Sequence, residues 1–262
     1  MRIIVCVKEV PDTTEVKIDP ETGTLIRKGV PAILNPFDMY ALEAALQIKD
    51  EKPDTEVIVV SMGPPSAEKN LRDTIAMGAD DVYLVTDRAF AGADTHATSY
   101  TLSEAIKFIG DYDLIFAGKQ AIDGDTAQTG PGIAEWLGIP QATFVKKVRE
   151  LKDNSIVVER VTESGYEVVE VELPAVITIV KGDRDPRLPS LRGMMRAKRA
   201  EIKKLTAEDL PVDKDKIGLA GSPTKVHKVF TPPRRKGGEK WEGEPDELAS
   251  KLAQKLEAIN AS

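Results

Sequence analysis

Short apolar runs and helical periodicities alternate along the first half of the chain, and that alternation predicts the elements. Arg2–Val7 is a β-rich apolar segment and predicts the first strand. Lys8–Thr14 (KEVPDTT) follows as a loop marked by Pro11 and Asp12. Glu15–Lys28 alternates around Pro20–Gly23, with Val16 and Ile18 before the turn and Leu25 and Ile26 after it, which predicts a projecting hairpin. Asn35-Pro36-Phe37-Asp38 then punctuates the chain. Asp38 is placed to N-cap a helix that carries Met39, Leu42, Ala45 and Leu46 on one face. Val57–Val60 predicts a second central strand, ending in Ser61-Met62-Gly63-Pro64-Pro65, with a helix from about Ser66 to Ala76 and a strand at Val82–Val85. Leu102, Ala105, Ile106 and Ile109 recur at helical spacing ahead of another apolar strand, Leu114–Ala117. Strands alternating with helices over short connections imply an α/β fold, a mostly parallel doubly wound sheet with helices on both faces.

From Ala142 the rhythm changes. Thr143–Val148, Ser155–Thr162, Tyr166–Leu173 and Ala175–Val180 are strand-like with no helix between them, which predicts an antiparallel extension or an edge meander. Lys181–Ser190 reads as a charged loop and Leu191–Lys198 as a short helical piece. Ser222–Gly243 is rich in Pro, Gly and charge and reads as an extended arm. A last helix, Pro245–Ile259, carries Leu248, Leu252 and Leu256 at a spacing of four. The expected division is an α/β domain over 1–215 and a C-terminal arm and helix over 216–262. That arm docks either on a partner or on its own domain.

The stretch that bears most on function is Asp113–Gly138. After the Leu114–Ala117 strand comes a polar, glycine-bearing loop, Gly118–Asp125, and then Ile133, Trp136 and Leu137 at helical spacing, so a helix is expected from near Thr126. A strand, a loop and a helix N-terminus in succession can bind an anion, because free N–H groups and the helix dipole converge there. Two readings stand: a nucleotide's phosphates sit here, or this is an ordinary strand-to-helix turn capped by Asp123 or Asp125.

Composition narrows the classes. The chain has 262 residues, 41% apolar and 30% charged, enough for one large core or a core and an appended arm. No apolar run approaches the ~20 residues that span a bilayer. A single cysteine, Cys6, leaves no internal disulfide framework and suits a reducing compartment, and MRIIVCVKEV lacks a signal-peptide layout, so a cytoplasmic location is expected. The net charge of −7 does not encourage a nucleic-acid reading. Lys181–Lys204 is locally basic, which suits a solvated face or a surface that steers an acidic partner.

Ligands in open α/β sheets bind at the carboxyl ends of parallel strands. Cys6–Thr13, Ser61–Pro65 and Gly118–Gly130 fall there, and Asn35 can join them. They offer glycine, small residues, Asn, Gln and Thr rather than a nucleophile with its base. His96 and His227 have no second ligand at metal spacing, and Cys6 reads as a packed thiol. Neither a Walker A nor a GxGxxG pattern is present. The residues suggest a nucleotide holder with no catalytic side chain of its own.

Several segments match a known family: VCVKEVPDT (5–13), NPFD (35–38), VSMGPP (60–65), TIAMGAD (74–80), AGKQAIDGDTAQTGP (117–131), LPAVITI (173–179) and MMRAKR (194–199). In these, and in their order, the chain resembles the beta subunit of electron-transferring flavoproteins over nearly its whole length. The resemblance implies an adenine-nucleotide-binding fold of the alpha-hydrolase-like type and a heterodimer with an alpha subunit that holds most of the redox flavin. The subunit would act as an electron carrier, redox-active only within the flavoprotein complex. In familiar members an AMP is held by residues matching Cys6, Asn35, Met62, Ala121, Gly124, Ala127, Gln128 and Thr129. In bifurcating members the same pocket holds the AMP half of a second FAD that takes a hydride from NADH and splits the pair between a high- and a low-potential acceptor.

Val10-Pro11-Asp12-Thr13 and Gly124-Asp125-Thr126-Ala127 resemble the bifurcating and nitrogen-fixation-associated branch. With Gly63 and Asp123 they complete the expected cofactor-binding set. Leu191–Arg199 aligns with the family's partner-recognition loop, which makes Leu191, Met194, Met195 and Arg196 the expected docking residues. The implied partners are the alpha subunit, an acyl-CoA or lactate dehydrogenase or a quinone oxidoreductase, and ferredoxin or flavodoxin. No nucleic acid and no direct membrane insertion are implied. The alternatives are a non-bifurcating subunit with a structural AMP and a stand-alone nucleotide-sensing module.

Overall fold

The structure, a computed structural model, describes residues 1–12, 31–182, 184–227 and 237–260. The expected hairpin over Glu15–Lys28 lies outside the described residues. The described residues on either side of it end at Asp12 and resume at Pro31. Strand β1 (Arg2–Cys6) is followed by β2 (Glu9–Pro11), which pairs antiparallel with β3 (Ala32–Leu34), so Val10 and Pro11 form a strand where a loop was expected.

Helix α1 (Pro36–Glu51) begins three residues earlier than expected. Asn35 occupies the N-cap position and Pro36 the first helical position, where its missing N–H costs nothing. Asp38 therefore lies inside the first turn and does not cap the helix. Strand β4 (Glu56–Met62) leads through a 3-10 turn, Pro65–Ala67, to α2 (Glu68–Met77). Then come β5 (Asp81–Val85), α3 (Thr95–Ile109), β6 (Leu114–Gly118) and α4 (Thr129–Leu137). The remaining elements are β7 (Gln141–Leu151), β8 (Ser155–Thr162), β9 (Gly165–Glu172), β10 (Ala175–Ile179), α5 (Leu191–Arg199), β11 (Lys203–Leu205) and α6 (Pro245–Asn260).

Nine strands form one sheet in the order β11-β5-β4-β1-β6-β10-β7-β8-β9. The first seven in that order run parallel, and β7, β8 and β9 continue as an antiparallel meander. The mostly parallel α/β class is as expected, with one correction. Strand β10 is not part of the antiparallel extension but inserts between β6 and β7, parallel to both. All five of its residues are buried, which is the pattern of a strand covered on both faces.

Alternation along β1 divides the core. Ile3 and Val5 point to the layer of α1 and α2, against Leu42, Leu46, Leu71 and Ile75. Ile4 and Cys6 point to the layer of α3 and α4, against Tyr100, Ile106 and Ile133. Among the described residues no helix is long and apolar enough to cross a membrane.

The chain divides into two compact units, Met1–Lys228 and Val229–Ser262. Ile217 and Ser222 are buried, and the Ser222 hydroxyl accepts the Asp94 N–H at 2.8 Å, so the chain after β11 packs as part of the first unit. In the second unit Trp241 lies against α6, with the Lys251 ammonium 4.6 Å from its ring centre and its Nε1–H donating to Glu239 at 2.9 Å.

Candidate functional site

Strand order decides where a ligand can enter. From β1 the chain moves outward through β4 to β5, then returns to place β6 on the other side of β1. The direction of winding reverses between β1 and β6, and the crevice outside the carboxyl ends at such a reversal is where open α/β sheets bind ligands. Two of the three stretches singled out in the sequence leave the sheet here, at Cys6–Asp12 and Gly118–Thr129. Met62 and Gly63 leave from β4 on the far side of β1, with the Gly63 N–H donating to Val85 O at 3.1 Å.

Asn35 and Asp38 join the two walls of the crevice. Asn35 is fully buried; its backbone N–H donates to Lys8 O at 2.8 Å. Its side-chain Nδ2 donates to Gln120 O at 2.8 Å, and its Oδ1 accepts the Ile122 N–H at 3.2 Å. One amide side chain thus sets the path of 120–122 while its own backbone holds the exit of β1. Asp38, also buried, accepts the Lys8 N–H at 2.7 Å on one oxygen and the Gly118 N–H at 3.2 Å on the other. Gly118 is required for this approach, because a Cβ there would stand 2.3 Å from Asp38 Oδ1 and 2.6 Å from the Phe37 carbonyl carbon. Across the mouth the Lys8 ammonium pairs with Asp123 at 2.6 Å. Burial pushes the Asp38 carboxyl up to about 7, against the pull of Asn35 and of the Lys8 and Gly118 N–H groups. Burial, and then the Asp38 charge, push the Cys6 thiol up to about 12. Cys6 is a packed, protonated core group.

Beyond Ala121 the loop takes a different course from the expected one. Helix α4 starts at Thr129, not near Thr126, because Asp125 and Ala127 have positive φ (56° and 55°), a conformation a helix cannot contain. Neither aspartate caps it: Asp123 pairs with Lys8, and Asp125 accepts from the Gln120 side chain. The residue before the helix, Gln128, makes no side-chain cap either. Ala127, with φ 55°, is followed by right-handed Gln128 (φ −112°, ψ −6°), whose N–H donates to Thr126 Oγ1 at 3.5 Å, and such a succession can turn the remaining neighbouring N–H groups toward one concavity, a backbone nest suited to an anion. Left-handed backbone at non-glycine residues costs energy and gathers at ligand sites. Gly124 stands at the crest, with nothing within 4 Å of a Cβ built on it. An uncapped helix start, a nest and an open crest fit the phosphate end of a nucleotide.

Other expected residues fall in different places. The Val10 side chain is buried and pairs across to Ile33, and the Asp12 N–H donates to Pro31 O at 2.8 Å. Thr13 lies outside the described residues. Ala121 and Thr126 are on the loop, with Thr126 3.2 Å from the Thr95 hydroxyl at the start of α3. On α5, Leu191, Met194 and Met195 are exposed, and Leu188 (87% exposed), which the periodicity did not mark, extends that apolar patch. Arg196 turns inward and donates to Ile75 O at 2.8 Å and to Ala79 O, so it is committed to α2. Lys8 and Gln120 lie within the candidate stretches but were not named individually, and the buried Asp38 was read as a helix cap; all three help shape the crevice. The signal for Asp38 was the NPFD segment, which gave Asn35 as a binding residue but Asp38 only as a helix cap. Two shallow concavities of about 370 and 490 Å³ lie toward the amino ends of the strands, around Gly78 and Pro140, away from the crevice.

Comparison with known proteins gives the family. Residues 22–210 match the electron transfer flavoprotein domain. The chain is 53% identical over 257 residues to the electron transfer flavoprotein subunit beta of Thermoanaerobacterium thermosaccharolyticum, covering 98% of each chain. The chain belongs to the electron transfer flavoprotein family. Within it the similarity is to beta subunits. The chain is also 53% identical to the caffeyl-CoA reductase-Etf complex subunit CarD of Acetobacterium woodii, covering 98% of each. It is 46% identical to protein FixA of Azotobacter vinelandii, covering 98% of this chain and 94% of that one.

Proposed function

We propose that this beta subunit holds the adenylate half of a second FAD in the crevice between β1 and β6, in a heterodimer with an alpha subunit. So loaded, the flavoprotein accepts electrons from NADH and divides them between a dehydrogenase and a low-potential acceptor such as ferredoxin or flavodoxin. The observation that carries the reading is the Gly124–Thr129 loop, where an open crest, a left-handed Ala127 and an uncapped helix start leave backbone donors for a pyrophosphate. Asn35 would fix the loop, and Cys6, Met62 and Gly63 would line the floor. Bound FAD would supply the hydride and single-electron chemistry, and the chain's own work is to bind and orient it. The likeness to a subunit of a caffeyl-CoA reductase complex supports an acyl-CoA-directed dehydrogenase as partner. The exposed patch of Leu188, Leu191, Met194 and Met195 supports α5 as its docking face.

The test is the cofactor inventory of the chain co-purified with its alpha subunit. Two flavins per heterodimer and bleaching by NADH are expected. One flavin and one AMP, with no bleaching, would reduce the role to a structural nucleotide and a docking surface.

A further inference from the structure

The carboxylate of Asp38 is where the two walls of the crevice meet. Lys8 stands just past β1 and Gly118 ends β6, and these strands are neighbours in the sheet. One carboxylate oxygen accepts from each, at 2.7 and 3.2 Å. Both partners are N–H groups, which can only donate. A neutral carboxyl keeps one good acceptor oxygen and turns the other into a hydroxyl, so one of the two amides then faces a poor partner. The ionised group holds both strand exits, and the neutral group holds one.

We infer that Asp38 is a positioning residue for the nucleotide site, which grips its ligand only when Asp38 is ionised, so that nucleotide binding drives off the Asp38 proton. This rests on the adenylate reading given above. The groups around Asp38 leave it as the one that changes charge. From β1 it faces the Cys6 thiol, kept neutral by burial, and Lys8, paired with Asp123. From its own helix start it faces the Asn35 amide. On the β6 side the Lys119 ammonium rests over the rings of Phe37 and Phe144, 5.3 and 5.7 Å from their centres.

Burial places the carboxyl near neutrality, at about 7. That gives two opposite slopes. The folded chain binds the Asp38 proton more tightly than the unfolded chain does. Its contribution to fold stability is therefore greatest below the ordinary carboxylate range and declines as pH rises through about 7. Nucleotide affinity climbs over the same interval, because the ionised form does the holding. A purely structural aspartate would give the first slope without the second.

The experiment uses the full-length chain with its alpha subunit, stripped of nucleotide at this site and titrated with AMP at pH 6, 7 and 8. Affinity is expected to rise roughly tenfold from pH 6 to 8, following the ionised fraction of a group titrating near 7. Asp38→Asn is expected to bind AMP more weakly at pH 8 and to keep only the shallow slope of the AMP phosphate itself. If that variant does not fold, the wild-type infrared difference spectrum still decides. The band of a buried protonated carboxyl should be present without nucleotide at pH 6 and vanish on AMP binding. An Asn variant with wild-type affinity and slope, or a spectrum in which no such band is lost, overturns the proposal. Wild-type protein that binds no AMP at any of these pH values sinks the adenylate reading instead.

Discussion

Arg72 and Arg196 each close the C-terminal end of the helix that carries the other. Arg72, on α2, donates to Ala197 O and Ala200 O at the end of α5, at 2.6 and 2.9 Å. Arg196, on α5, donates to Ile75 O and Ala79 O at the end of α2. The last carbonyls of a helix have no partners within it and carry the negative end of the dipole, so a guanidinium is a favourable cap. The exchange mounts α5 firmly on the body of the chain while leaving Leu191, Met194 and Met195 outward. Arg196→Met should cost about 1.5–3 kcal/mol, the usual worth of hydrogen bonds to a charged group. It should also speed hydrogen exchange across 191–199. An unchanged denaturation midpoint and unchanged exchange would show that α5 does not depend on the exchange of caps.

The same contact requires glycine at 193. A Cβ there would lie 2.0 Å from Ala76 O, in backbone that cannot move aside alone. Gly193→Ala should destabilise by about 1–3 kcal/mol, as overpacking does. Gly124→Ala meets nothing within 4 Å and should leave the midpoint within about 0.5 kcal/mol, as ordinary surface changes do. Thermal or urea denaturation of the pair checks both, and equal effects would contradict the geometry.

The segment leading into α5 is tied down separately. Arg187 donates through Nε to Glu43 at 2.8 Å and through Nη2 to Asp50 at 2.7 Å, both on α1. Burial would raise the Glu43 carboxyl, but the hydrogen bonds from Arg187 prevail and hold it below its usual range. A lowered carboxylate stabilises above its ordinary value of 4.5 and loses that contribution as pH falls through the lower folded value. Arg187→Ala should therefore cost about 1.5–3 kcal/mol at neutral pH, and its deficit against the wild type should shrink once Glu43 is protonated. Urea denaturation across the acid range measures this. A deficit that grows on acidification would contradict the pairing.

How much was legible follows from what each signal encodes. Local periodicity is set by neighbours three and four residues away, so Leu102, Ala105, Ile106 and Ile109 announced α3, and Leu114–Ala117 announced β6. The position of β10 was not legible, because five buried residues read alike in a parallel strand and in a covered antiparallel one. The start of α4 was misplaced because the left-handed φ of Ala127 has no signature in an alanine. Asp38 was read as a cap because aspartate at a helix start caps by default. Its actual partners, Lys8 and Gly118, lie 30 and 80 residues away in sequence. The candidate loops were singled out from their glycines and polar residues at strand ends, and through family likeness, since neither requires long-range contacts to be known.

The claim on which the rest depends is that amides of the 124–129 loop hold the phosphate end of an adenine nucleotide. The most direct measurement is the adenine-nucleotide content released on denaturation from the chain co-purified with its alpha subunit, wild type against Gly124→Glu. The account predicts bound nucleotide in the wild type and its loss from this site in the variant, by charge and bulk, with the same thermal midpoint as wild type stripped of nucleotide. Full nucleotide content in Gly124→Glu would contradict it and move the ligand off this edge of the sheet.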